Sequence, residues 1–113
     1  VSFISLKQII EKICSEKIKI DVICLIKPQF ECGREVATKY KGIILNKDIH
    51  VDIINSLIKY FNEKGFYIKE LTPSPIRGGD GNIEYLTFIS NKINQNKTIN
   101  IKKIVSESFN FIN

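Results

Sequence analysis

Two stretches of the chain carry residue types that could act on a hydroxyl group. Residues 25–35 read Leu-Ile-Lys-Pro-Gln-Phe-Glu-Cys-Gly-Arg-Glu, which puts Lys27 and two acids, Glu31 and Glu35, where an apolar run ends. Residues 74–86 read Ser-Pro-Ile-Arg-Gly-Gly-Asp-Gly-Asn-Ile-Glu-Tyr-Leu, which puts a glycine-rich turn and one acid, Glu84, at the start of another apolar run. A hydroxyl is a poor nucleophile and needs a group that accepts its proton or lowers its pKa. A lysine does this when burial and like charges depress its own pKa. In open α/β sheets, active sites gather at the carboxyl ends of the strands, and Lys27 falls at such an end. Brought together, Lys27 and Glu84 could serve a hydroxyl beside an anionic backbone. Arg77 reads as a phosphate contact or as a solvated turn cation. Glu31, Arg34 and Glu35 read as a pocket wall or as a charged loop. His50, the single histidine, reads as a surface or capping residue in the first turn of a helix. No Cys/His cluster points to a metal, and no Ser-His-Asp or Cys-His arrangement stands out.

The elements that position these residues follow from periodicity and punctuation. Ser5-x-x-Gln8 fits a capping box, and Ile9, Ile10, Ile13 and Cys14 then recur at helical spacing. Lys17 to Lys19 supplies cations suited to a helix C-terminus. Ile20–Ile26 is rich in β-branched residues and reads as a buried strand of a parallel sheet. Pro28 has no N–H for a ladder, so the strand stops near Lys27. Residues 32–47 read as a long connection. Asp48 reads as the N-cap of a second helix, whose stripe is Ile49, Ile53, Ile54, Leu57, Ile58 and Phe61. Gly65 reads as its C′ terminator. Phe66–Leu71 alternates like a strand, closed by Thr72–Pro75, and Ile83–Ile89 is the last strand. The Gly78–Asn82 turn between them allows antiparallel pairing. Asn91–Thr98 is polar and loop-like, and Ile101, Ile104, Val105, Phe109 and Ile112 outline a terminal helix. The order helix, strand, helix, strand, strand, helix gives an α/β class.

Composition bounds the rest. A chain of 113 residues holds one domain at most. Its hydrophobic content of 43% is that of a globular protein. The net charge of +5 favours a polyanionic partner but is spread without a basic run, so a solvated lysine-rich surface accounts for it equally well. Cys14, Cys24 and Cys32, an odd number without ligand spacing, read as reduced thiols of a cytoplasmic protein. No run of 18 apolar residues occurs, so no membrane partner is expected. The chain has no methionine and begins at valine, which leads us to expect a fragment.

With the opening Val1-Ser-Phe-Ile-Ser-Leu6, the two stretches resemble the TlyA/hemolysin A family, within the FtsJ-like RNA ribose methyltransferases. The resemblance covers roughly residues 1–90. It implies a partial Rossmann-like methyltransferase, the second half of a doubly wound sheet with its last strand antiparallel. FtsJ-like enzymes use a Lys-Asp-Lys-Glu tetrad. By resemblance Lys27 matches the second lysine and Glu84 the glutamate, while the aspartate would fall just before Val1. The complete enzymes methylate the 2′-hydroxyl of cytidines in ribosomal RNA, which makes ribosomal RNA or ribosomal subunits the implied partner. They bind S-adenosylmethionine at a glycine-rich turn after the first strand and an acid after the second. Neither element is found here, nor is the family's N-terminal S4-type RNA-binding domain, so this chain alone is expected to bind no cofactor and to be inactive. Glu31, Arg34 and Arg77 are the candidate RNA- or substrate-binding residues.

Two other readings stand beside this one. The chain could be a non-catalytic RNA-binding or assembly module, self-associating through the sheet edge that a half-sheet exposes. It could be a hemolysin, as the family's common name says, but the stripe of the second helix is already accounted for by sheet packing.

Overall fold

The computed structural model describes residues 6–110. The expected Ser5 cap, the Val1–Phe3 entry and Ile112 lie outside them. The element order is α1 (Leu6–Ser15), β1 (Asp21–Ile26), α2 (Pro28–Glu31), α3 (Arg34–Lys39), α4 (Lys47–Glu63), β2 (Tyr67–Pro73), a 3₁₀ turn (Gly79–Gly81), β3 (Tyr85–Ser90) and α5 (Ile101–Asn110). The expected alternation of helix and strand is present.

The three strands form one sheet in the order β1-β3-β2. β3 runs antiparallel to both neighbours, pairing Asp21 with Ser90 through to Ile26 with Tyr85 on one side, and Tyr67 with Ser90 through to Pro73 with Tyr85 on the other. β1 and β2 therefore run parallel to each other, joined by a crossover through α4, with the final strand inserted antiparallel between them. This is the partial doubly wound arrangement expected. One detail is corrected: β1 is not a buried strand within a parallel ladder. Among the described residues it pairs only with β3, and Ile23 on it is 68% exposed. An apolar run is compatible with burial on both faces, but on one face of this strand Asp21 and Ile23 are exposed.

α4 supplies much of the core. Ile53, Ile54, Leu57 and Phe61 are buried, with Ile49 and Ile58 packed at the margin. They meet Ile68 and Leu71 of β2, Tyr85 and Ile89 of β3, Val105 of α5, and Leu6 and Ile10 of α1 in one cluster. The helix starts one residue before the expected cap. Asn46, not Asp48, is the N-cap, its side chain accepting from the Ile49 N–H at 3.0 Å. Both residue types cap well, and only the backbone geometry chose between them. At the other end Gly65 has φ +84°. Its N–H bonds the Asn62 carbonyl at 3.1 Å and the Phe66 N–H bonds the Phe61 carbonyl at 2.8 Å, the paired bonds of a Schellman stop. The expected long connection over residues 32–47 is only partly a loop, because α3 lies within it.

His50 departs from expectation most. It is fully buried, not at the surface. Its Nε2 donates to the Ile44 carbonyl at 2.6 Å, so Nδ1 is the acceptor and takes the Tyr85 hydroxyl at 2.8 Å. The Tyr85 hydroxyl also stands 3.1 Å from Ser108 Oγ, which donates to the Val105 carbonyl at 2.6 Å. This line of polar contacts links α4, β3 and α5. Burial lowers the His50 pKa below its ordinary 6.5, partly opposed by the bond to Ile44. The folded chain thus binds that proton less readily than the unfolded chain. Stability is full above 6.5 and falls as pH drops through and below it, until the folded value is passed. We expect the thermal midpoint to fall between about pH 7 and pH 5, and His50→Gln to remove part of that slope. An unchanged slope in the variant would rule out His50 as its source.

Candidate active site

Antiparallel pairing delivers Lys27 and Glu84 to one end of the sheet. Ile26 and Tyr85 are the last pair of the β1–β3 ladder. The next residue after β1 is Lys27, and the residue before β3 is Glu84. Pro73 ends β2 opposite the same Tyr85, and the Ser74 N–H bonds the Glu84 carbonyl at 2.8 Å. The carboxyl ends of β1 and β2 and the start of β3 therefore converge, at the sheet end where open α/β folds place ligands.

Lys27 is half-buried and serves as the N-cap position of α2, its carbonyl accepting from the Phe30 and Glu31 N–H groups at 2.8 and 3.1 Å. Pro28 at the first helical position fits because its absent N–H would have no partner there. The Lys27 Nζ lies 5.5 Å from the Phe30 ring centroid, a cation–π placement. Phe30 itself is 43% exposed. No ion pair joins Lys27 to Glu84, so the amine is not held by that carboxylate.

Glu84 is 5% exposed, and its Oε2 accepts from Gln29 Nε2 at 2.8 Å. Gln29 is also buried. Gly78 leaves the room for this pair. A Cβ there would sit 2.7 Å from Glu84 Cδ and 3.2 Å from Gln29 Nε2. The glycine-rich turn is thus closed over the Glu84 carboxylate. Arg77 Nη1 donates to the Gly81 carbonyl at 2.7 Å within that turn, and Asn82 fastens it to the α3–α4 segment, accepting from the Ile44 N–H and donating to the Gly42 carbonyl, each at 2.8 Å.

The other predicted residues are dispersed. Glu31 Oε1 accepts from the Leu6 N–H at 3.3 Å, satisfying one free donor at the start of α1. Burial, with Glu31 as the lesser cause, pushes the Cys24 thiol up to about 11, which makes it unreactive. Arg34 and Glu35 are exposed in the first turn of α3. The structure brings Lys27 and Glu84 to the same end of the sheet and adds Gln29 and Gly78, which sequence reasoning passed over. Their signal was position: Gln29 is two residues from Lys27, and Gly78 opens the turn before Glu84.

Residues 1–91 match the sequence pattern of a family described as FtsJ-like methyltransferase. The chain belongs to that family. Hemolysin A of Brachyspira hyodysenteriae is 41% identical over 87 residues, covering 76% of this chain and 36% of that protein. The 23S rRNA (cytidine-2′-O)-methyltransferase TlyA of Campylobacter jejuni is 32% identical over 88 residues, 78% of this chain and 34% of that one. A solved structure of a candidate hemolysin from Streptococcus thermophilus superimposes with a TM-score of 0.84 at 36% identity, covering 97% of this chain and 40% of its own. The chain spans about a third of the length of the curated relatives it matches.

FtsJ-like enzymes imply S-adenosylmethionine. The described residues do not fit it. The glycine-rich turn present here lies between β2 and β3, and the space at Gly78 is taken by the Glu84 carboxylate and Gln29.

Proposed function

We propose that this chain is the C-terminal, acceptor-side half of the methyltransferase domain of an FtsJ-like rRNA 2′-O-methyltransferase of the TlyA type. The observation that carries the reading is the convergence of Lys27 and Glu84 at one sheet end in a chain of this family. Lys27 acts on the ribose 2′-hydroxyl, accepting its proton or stabilising the oxygen as it becomes nucleophilic. Glu84, fixed and buried, orients the lysine or the ribose. Ribosomal RNA in the cytoplasm is the partner, with Arg34 on its exposed turn and Arg77 as phosphate contacts.

A graft tests this reading. The matched segment of the Bacillus subtilis relative YqxC, named as a candidate rRNA methyltransferase and 44% identical over 90 residues, is replaced by this chain. The chimera is expected to transfer labelled methyl groups to ribosomal RNA, with the label on the ribose oxygen of a cytidine. Base methylation, or no transfer by a folded chimera whose parent is active, would refute it. The 113-residue chain alone is expected to show no S-adenosylmethionine binding in calorimetry.

Two lesser readings keep a specific footing. The bare edge of β1 with exposed Ile23 supports self-association through strand pairing, which sedimentation would detect. Membrane insertion has no such footing: among the described residues, no helix is long and apolar enough to cross a membrane.

A further inference from the structure

We infer that Gln29 is a positioning residue of this site, acting through Glu84. The inference rests on the reading of Glu84 given above. A buried carboxylate is costly unless hydrogen-bonded, and the bond to Glu84 Oε2 that the structure offers comes from Gln29 Nε2 at 2.8 Å. The amide orientation is set by that bond, since the reverse would put two acceptors face to face. Gln29 Oε1 is then left buried without a hydrogen-bond partner. Packing alone does not account for a buried amide oxygen without a partner, since an apolar side chain of similar volume would fill the space without that cost. The second wall of the pocket is Gly78, where any side chain would strike Glu84 Cδ at 2.7 Å. The carboxylate is thus held from one side by a donor and limited on the other by bare backbone.

The geometry ties this clamp to Lys27. Gln29 lies in the first turn of α2, whose N-cap is Lys27 and whose first residue is Pro28. The turn that presents the lysine at the end of β1 therefore also grips the glutamate at the start of β3. Gln29 fixes the separation of two groups that come from different strands and do not bond each other.

The test has two parts. In the 113-residue chain, the Gln29 side-chain amide protons are followed by nitrogen-15 NMR. Their resonances are expected to move on Glu84→Gln and to exchange slowly with water. In the chimera, methyl-transfer rates are compared for Gln29→Met, Glu84→Gln and the double variant. Gln29→Met keeps the volume and removes the donor, so the thermal midpoint should fall as the buried carboxylate loses its partner, and in the folded variant the RNA KM should hold while kcat falls about tenfold to a hundredfold. The double variant should be no slower than Glu84→Gln alone, because both changes remove one arrangement. Additive losses, or an active Gln29→Met beside an inactive Glu84→Gln, would overturn the inference while leaving the role of Glu84 intact. An active Glu84→Gln would instead overturn the reading of Glu84. If Gln29→Met does not fold, Gln29→Glu serves: it keeps the length and sets an acceptor against Glu84 Oε2 in place of the donor, so kcat should fall at least as far. An unchanged kcat counts against the inference.

Discussion

Lys27→Ala in an active chimera is expected to slow methyl transfer by about 10²–10⁴-fold, the usual contribution of a positioned proton-transfer group. The amine is half-buried at the carboxyl end of β1, at the same end of the sheet as Glu84, and among the described residues no salt bridge holds it. It rests over Phe30, a partner it can leave at small cost. The loss should fall on kcat and leave the RNA KM nearly unchanged, since one lysine among many cations contributes little to binding the polyanion. Lys27→Arg should not restore the rate, because a guanidinium does not give up its proton. Initial rates across RNA concentrations decide the matter. A purely KM-based loss, rescued by arginine, would make Lys27 a phosphate contact and nothing more.

The second large effect is on stability. Phe61→Ala is expected to cost about 3–5 kcal/mol, against a total of about 5–15 kcal/mol for a domain of ordinary stability. Phe61 is 1% exposed in the central cluster. It is also the residue whose carbonyl receives the Phe66 N–H in the turn that ends α4. The cavity would open where the helix stops and β2 begins, a place with little freedom to collapse. Urea unfolding should show a lower midpoint with the same slope. Ile76→Ala, at a residue 76% exposed, should change almost nothing and serves as the control. Equal effects from the two would mean that the cluster around Phe61 does not hold the fold together.

How much of this was readable beforehand varies by residue. The place of Lys27 at a strand end was legible because Pro28 and the β-branched run before it leave few places for the strand to stop. The place of Glu84 at the start of the last strand was legible because the glycine-rich turn comes just before it. α4 and its stop were legible from a six-residue stripe and Gly65. His50 was misread although its position was informative: it precedes Ile53, Ile54 and Leu57 at helical spacing, on the face that is buried, and its polarity masked that. The bond from Gln29 to Glu84 crosses 55 positions of sequence. No periodicity encodes such a contact; it exists only once β1 and β3 are in register. The exposure of Ile23 on β1 was hidden for a similar reason, since an apolar run does not say what lies against it.

The order β1-β3-β2 also has a consequence in time. The two outer strands never touch; each is held to the sheet by β3, which comes last of the three and ends at Ser90. During synthesis β1 must wait until residues 85–90 have emerged before its ladder with β3 can form. Closing such distant pairs is entropically slow. The strand that joins these two thus sets when Lys27 and Glu84 are brought to one end of the sheet, and a ribosome paused before residue 85 would hold β1 and β2 without the ladder that connects them.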